Sequence, residues 1–421
     1  MSAELEREHE REPPIALEIG AVAHGGHCVA RHDGRVVFVR HTLPGESVLA
    51  SLTDSAPDAS FWRADAVEIT VASPDRVPSA WPAAGPGGVG GGELAHVSLD
   101  GQRRWKAAVV AEQLRRLARL ERDVVVAAAP GDLERGGLGW RTRIELVADA
   151  QGRAGMTRPR SHQVVPLESM PLATDAIAEL GLFDRTWPAG TRISVAAPAS
   201  GGRPVILVGG VAWGSHGPDT RPNARSSVRE QVDVDGETYR YRVAADGFWQ
   251  VHRSAPAVLV EAVLTALGDL DGASVLDLYA GSGLFTVPIA RAVGRRGTVT
   301  AVEGDPRAVR DARRNVHESH QVDLQHGPVE RVLATGVADQ VDAVVLDPPR
   351  VGAGRRVIGQ IAARSPERVV YVACDPAALA RDISYLAEHG YRLDDLRALD
   401  LFPMTHHVEC VAVLSRAQES G

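Results

Sequence analysis

The C-terminal part of the chain predicts an α/β fold with a doubly wound sheet. Apolar β runs recur in "SVLDLYAGSGLF", "GTVTAVEGD", "VDAVVLDPPR" and "RVVYVAC". Helical stretches such as "DPRAVRDARRNVHESH" follow the earlier runs. Alternation of this kind buries both faces of a parallel sheet. The last run, "HVECVAVLSR", has no helix after it and is expected to pair antiparallel.

The elements upstream differ in texture. Residues 1–12, "MSAELEREHERE", read as a solvated acidic tail. Over 13–72 short alternating runs surround the turns Gly25-Gly26 and Asp33-Gly34. That pattern predicts a small OB-like β-barrel. A mixed α+β central region follows over 73–243, beginning with a loop rich in Gly and Pro. A helix is expected over 98–122, with Ala108, Ala111, Leu114, Leu117 and Leu120 on or near one face. Hairpins over 135–165 carry Arg141, Arg143, Arg158 and Arg160 against few acids. They form either a basic RNA-facing patch or a solvated sheet face. The α/β domain occupies 244–421.

Composition narrows the class. The net charge is −8, which excludes coating nucleic acid by bulk charge and leaves room for a local basic face. Lys106 is the sole lysine, a bias we ascribe to genome composition. Three widely spaced cysteines, Cys28, Cys374 and Cys410, argue against a disulfide framework and for a reducing, cytoplasmic setting. No apolar run has the length of a membrane span.

The chemistry lies at strand ends. In "DLYAGSGLF", Gly281 and Gly283 let the backbone turn tightly beside a ligand. Glu303 ends the next strand, where a carboxylate can accept both ribose hydroxyls of an adenosine. A nicotinamide dinucleotide and S-adenosylmethionine both fit, although Thr286 stands where the dinucleotide fingerprint wants a third small residue. Asp347, in "LDPPR", ends a further strand on the ligand edge. Cys374 ends the one after. It is either an inert core residue or a nucleophile, which would need a helix N-terminus or an arginine such as Arg350 or Arg381 to stabilise its thiolate. Cys410 adjoins Glu409 in the last strand, so if Glu409 faces the site Cys410 faces away.

Taken in order, "GFWQVH", "LDLYAGSGLF", "VVLDPPR", "VVYVACDPAALARD" and "LDLFPMTHHVECVAVL" resemble the S-adenosylmethionine-dependent RNA (uracil-5-)-methyltransferase family, which makes 5-methyluridine. The N-terminal barrel resembles the TRAM domain, an RNA-binding module. The resemblance implies a class I methyltransferase sheet, Cys374 as nucleophile and Glu409 as the base that removes the C5 proton. It also implies cofactor contacts at Gln250, Tyr279, Leu284, Glu303 and Asp347, beside Gly281 and Gly283. The implied partner is RNA, ribosomal or transfer, bound by a monomer, with Arg350 added to the basic patch.

The chain departs from this family at two places. Many members hold an iron–sulfur cluster on four cysteines, three of them in the loop at 78–96. Here Trp81, Val89, Gly92 and Met170 stand in the ligand places, and none supplies a thiolate. No cluster or other metal is therefore expected. Asp375 replaces the more usual Asn after the nucleophile, and its charge is expected to raise the thiol pKa. Two alternatives remain open: a weakly catalytic or inactive RNA-binding protein of the same fold, and a methyltransferase acting on another base such as cytosine C5.

Overall fold

The computed structural model describes residues 13–417 except 160 and 216. The acidic segment 1–12 and Arg160 lie outside them.

Six strands form the N-terminal barrel: β1 (Ile15–Glu18), β2 (Val22–Ala23), β3 (His27–His32), β4 (Arg35–Arg40), β5 (Ser47–Asp54) and β6 (Phe61–Val71). Their order is β1-β5-β6-β4-β3-β2. The Gly20 N–H donates to the Val29 carbonyl at 2.8 Å, bringing the chain after β1 back against β3 and curling the sheet. Alternate residues such as Val37, Val39, Val48 and Ala50 fill the interior.

Helix α1 (Leu99–Gln113) is capped by Ser98, whose side chain accepts from the Gly101 N–H. A π-helical turn, Leu114–Ala118, ends it. The buried face is not the expected one. Ala108 and Leu117 are exposed, whereas Trp105, Lys106, Val109, Val110, Gln113 and Leu114 are buried. The helix is covered on more than one side, which widens its buried arc. Trp105 and Val109 pack with Leu43, Leu94 and Val97, while Val110 and Leu114 join the core of the C-terminal sheet. Lys106 is wholly buried, and its ammonium donates to Asp400 at 2.5 Å and to the Phe402 carbonyl at 3.0 Å.

Strand β7 (Val126–Ala128) precedes a seven-stranded sheet. That sheet contains β8 (Arg143–Ala148), β9 (Ala154–Thr157), β10 (Val164–Pro166), β11 (Arg192–Ala196), β12 (Val205–Val208), β13 (Val211–Gly214) and β14 (Gly217–Pro218), with a short α2 (Asp175–Ala178). The hairpin of β15 (Ser227–Val234) and β16 (Glu237–Ala244) comes next. Its apolar face, including Val232, Tyr241 and Val243, packs on α3 (Ala255–Leu267).

The C-terminal unit alternates as expected. In chain order come β17 (Ser274–Leu278), α4 (Thr286–Ala292), β18 (Thr298–Glu303), α5 (Pro306–Asn315), β19 (Val322–His326) and α6 (Val329–Leu333). They are followed by β20 (Ala343–Leu346), α7 (Gly354–Ala363), β21 (Arg368–Ala373), α8 (Pro376–Glu388), β22 (Tyr391–Asp400) and β23 (Glu409–Arg416). The strand order is β19-β18-β17-β20-β21-β23-β22-β7. Strands β17 to β21 run parallel, and β23 pairs antiparallel with both β21 and β22. Strand order reverses between β17 and β20, so their carboxyl ends open the crevice where such sheets take ligands. The addition of β7 to the far edge shows that upstream segments share this core.

Candidate active site

The loop after β17 starts with an unusual backbone. Tyr279 has φ of 62°, in the left-handed region, and Gly281 and Gly283 follow at 57° and 90°. The Gly281 N–H donates to Glu303 at 2.8 Å, and the Asp305 N–H donates to the other oxygen of the same carboxylate at 2.6 Å. Glu303 thus fixes the glycine loop while keeping lone pairs toward the cavity. Thr286 uses its hydroxyl to donate to buried Asp277 at 2.6 Å, and burial pushes that carboxyl up to about 7. The Leu284 carbonyl accepts from the Tyr241 hydroxyl at 2.9 Å.

On the other side of the switch point, Asp347 follows β20. The Gln250 amide donates to it at 3.4 Å, so two residues far apart in sequence meet at the cavity. Burial, with Asp277 adding repulsion, pushes the Asp347 carboxyl up to about 7. Cys374 and Glu409 follow from register. Ala373 pairs with Cys410 in the β21–β23 ladder. One step along, Cys374 stands opposite Glu409, and facing residues of an antiparallel pair point to the same side. Both line the cavity, and Cys410 points into the apolar core as expected. Burial, then Glu409 and Asp347, pushes the Cys374 thiol up to about 12, while Arg350 acts in the opposite direction. Burial, reinforced by Asp347, also holds the Glu409 carboxyl well above the usual range.

The "ARD" end of the cysteine motif is structural. Asp382 accepts from the Ala353 N–H at 2.7 Å and from the Tyr371 hydroxyl at 2.8 Å, which ties the loop after "DPPR" to β21. Arg381 donates to the Val351 carbonyl at 2.6 Å and to Asp382. Of the two arginines expected near the thiol, only Arg350 acts on it. Asp375 caps α8, accepting from the Ala378 N–H at 2.8 Å.

The cavity measures about 950 Å³ and runs from Glu303 past Asp347 and Cys374 to Trp140, Arg141, Phe402 and His407. These last residues, Arg141 excepted, carried no signal in the sequence, because single aromatic and histidine residues on loops look alike until the fold gathers them. Arg141 is largely enclosed, lies over the Trp140 ring, and its Nε has no partner. Arg143 corrects the expected basic patch. It is buried, and its guanidinium donates to the carbonyls of Ala244 and Gly247 at 2.9 and 3.0 Å, so it is unavailable to RNA. Arg158 is exposed, and Arg350 is exposed and bonded to His407 at 2.9 Å.

The four residues expected in the places of cluster cysteines also converge. Trp81, Val89 and Met170 belong to one buried apolar cluster. A Cβ on Gly92 would lie 2.9 Å from the Trp81 ring and 2.7 Å from Ala84, so glycine is what lets the loop close on the indole. Among the described residues no group of three or more His, Cys, Asp or Glu is arranged to hold a metal ion. No helix among them is long and apolar enough to cross a membrane.

Comparison with known proteins agrees with this geometry. Residues 331–417 match the tRNA (Uracil-5-)-methyltransferase family, 275–348 a methyltransferase domain and 15–67 the TRAM domain. An uncharacterized RNA methyltransferase of Streptomyces coelicolor is 45% identical over 95% of this chain and 92% of its own length. One from Bifidobacterium longum is 43% identical over 95% and 96%. Among solved structures, the Pyrococcus abyssi tRNA (uracil-54, C5)-methyltransferase in complex with S-adenosyl-L-homocysteine superposes with a TM-score of 0.69 at 22% identity, covering 95% of this chain and all of that one. The chain belongs to the RNA (uracil-5-)-methyltransferase family and carries that family's N-terminal TRAM domain.

Proposed function

We propose that the protein methylates C5 of a uridine in structured RNA, ribosomal or transfer, using S-adenosylmethionine, with Cys374 as nucleophile and Glu409 as base. The observation that carries this reading is the facing Cys374–Glu409 pair in one cavity with the Glu303-anchored glycine loop. The donor set suits the nucleoside part of the cofactor. Glu303 lines the cavity with Gln250, Tyr279, Leu284 and Asp347, and its carboxylate would accept the ribose hydroxyls. When bound, S-adenosylmethionine supplies an electrophilic methyl group.

Uracil C5 is a poor nucleophile until C6 is saturated. Cys374 gives up its proton to solvent as it forms a C6–S bond, and charge collects on the C4 oxygen as an enolate. C5 then takes the methyl group, with S-adenosylhomocysteine as the leaving product. Glu409 removes the C5 proton, the C6–S bond breaks, and the aromatic base is restored. A carboxyl held high by burial is a stronger base once ionised, which suits a weakly acidic C5 proton. The resting thiol is also held high. Attack therefore depends on proton loss within the assembled site rather than on a standing thiolate.

The test is methyl transfer from labelled cofactor to RNA lacking the modification, with the product nucleoside identified by mass. 5-Methyluridine supports the proposal, and 5-methylcytidine or no product overturns it. RNA carrying 5-fluorouridine provides a second readout. Fluorine cannot leave as a proton, so a denaturation-resistant adduct should accumulate.

A further inference from the structure

The turn between β2 and β3 of the barrel reaches the shoulders of the Cys374–Glu409 pair. His24 Nε2 lies 3.1 Å from Asp375 Oδ2, with the two side chains 39% and 22% exposed. Asp375 is the residue after Cys374. Two residues along the same turn, a Cβ on Gly26 would lie 3.1 Å from His406 Nδ1, so the bare backbone is seated on the His406 ring. His406 lies in the loop leading to Glu409. One barrel turn therefore touches both strand ends that carry the catalytic pair.

We propose that His24 is a positioning residue for the Cys374 thiol: it reaches from the barrel to hold the Asp375 carboxylate and offset its charge, so the catalytic wall is complete only when the barrel is seated. This rests on Cys374 being the nucleophile. An unopposed carboxylate next to the sulfur disfavours the thiolate, and a histidinium on that carboxylate cancels much of the effect. The hydrogen bond to Asp375 raises His24 above its ordinary value, so the ring carries charge nearer neutrality. The other charged group acting on His24 is Arg350, which lowers it. Glu409, Asp347, Arg350 and Asp375 act on Cys374. Asp375 is also the N-cap of α8, so the clamp fixes the helix start as well as the charge.

The role has a signature that simple barrel docking lacks. Iodoacetamide alkylation of Cys374 in the full-length protein, followed across pH by mass spectrometry, reads the thiolate directly. Cys28 and Cys410 are buried and serve as internal controls. Replacing His24→Ala or His24→Gln should slow alkylation near pH 6, where the wild-type ring is charged, by roughly fivefold, what one unopposed charge a few ångströms away is worth at the water-exposed limit. The difference should fade as pH rises past the His24 value and the wild-type ring turns neutral, and kcat for methyl transfer near pH 6 should fall with KM for RNA little changed. His24→Arg, a permanent cation, should restore the rate near pH 6 and keep the advantage at higher pH, where the wild-type ring is neutral. In an Asp375→Asn background, His24→Ala should have no further effect, because there is no charge left to offset. An unchanged alkylation rate near pH 6 with a raised KM for RNA, or a His24 effect that persists in Asp375→Asn, overturns the proposal. Alkylation needs neither RNA nor methyl donor, so it decides this role separately from whether uridine is the substrate.

Discussion

Cys374 and Glu409 stand directly across from each other, one position past the last paired residues of β21 and β23, Ala373 and Cys410. They are distant in sequence, and the antiparallel β21–β23 ladder brings them to one cavity. The proposed mechanism puts them at opposite ends of one covalent cycle, so their variants should fail differently. Cys374→Ala should bind RNA and cofactor but form neither product nor adduct. Glu409→Gln keeps the thiol and permits addition and methyl transfer, then stalls at proton removal. Denaturing electrophoresis should show a methylated protein–RNA adduct for the second variant only. Turnover by Cys374→Ala, or wild-type turnover without trapping by Glu409→Gln, would remove the mechanism.

Glu303 holds Gly281 and Asp305 through their N–H groups, and the proposed function adds a second duty, accepting the ribose hydroxyls. Glu303→Ala should therefore lose more than one hydrogen bond. A charge-assisted bond is worth about 1.5–3 kcal/mol, so calorimetry should show S-adenosylmethionine affinity reduced by roughly tenfold or more. Glu303→Gln keeps one acceptor and should lose less. Equal affinity for wild type and Glu303→Ala would sink the assignment.

Asp347 is held near 7, chiefly by burial, against an ordinary 3.8. A carboxyl whose pKa rises on folding holds its proton more tightly in the folded chain. Its burden is absent below about pH 4, where both states are protonated. Stability falls as pH climbs through the folded value near 7 and then levels off. Asp347→Asn should thus stabilise the ligand-free protein at pH 8, by on the order of 4 kcal/mol at most, and do little at pH 4. Thermal melts at the two pH values check this. The variant should lose methyl transfer, since the carboxylate lines the cavity proposed to take the cofactor.

Lys106 and Asp400 form a wholly buried ion pair joining α1 to the end of β22. Burial lowers the Lys106 pKa, and Asp400 opposes that shift. Removing one partner leaves an uncompensated charge, so Lys106→Met should cost about 3–5 kcal/mol in denaturant unfolding. The double variant Lys106→Met, Asp400→Leu should recover much of that loss. Additive destabilisation would show that the pair is not coupled.

The loop around Trp81, Val89 and Gly92 packs with Met170 as an apolar cluster. Protein purified without oxygen should be colourless, with no stoichiometric iron by metal analysis. A broad visible absorption band with iron would mean that the loop is aligned wrongly. Gly92→Ala should destabilise the loop, since its Cβ would meet the Trp81 ring and Ala84.

Much of this was legible because it is local. Strand–helix alternation, the glycine loop, the strand-end acids and the cysteine motif each sit in a few consecutive residues. What was not legible depends on which surfaces meet. The face of α1 could not be read from apolar spacing, because the helix is covered on more than one side and buries Gln102 and Lys106 with its apolar residues. Strand β22, "YRLDDLRALD", has too many charges to look like a sheet strand, yet Leu393, Ala398 and Asp400 turn inward. Gln250 beside Asp347 and His24 beside Asp375 are products of tertiary approach, and nothing in either local stretch announces its partner.

The arginine patch divides in the same way, and the division can be measured. Phosphate contacts release counterions, so each lost contact lowers the salt dependence of RNA binding by roughly one unit of slope. Arg158 is exposed on the hairpins, and its replacement by Gln should reduce that slope. Arg143 is buried on the Ala244 and Gly247 carbonyls and faces Glu230 at 3.8 Å. Arg143→Gln should lower the melting temperature and leave the slope as it was, because that guanidinium never meets a phosphate. Arg141 is different again: it is enclosed, with one nitrogen unpartnered at the cavity. Arg141→Gln should weaken binding of the target RNA more than binding of an unrelated RNA of equal length. Filter binding across a salt series, with both RNAs, separates the three. A slope unchanged by Arg158→Gln would return the hairpins to an ordinary solvated sheet face.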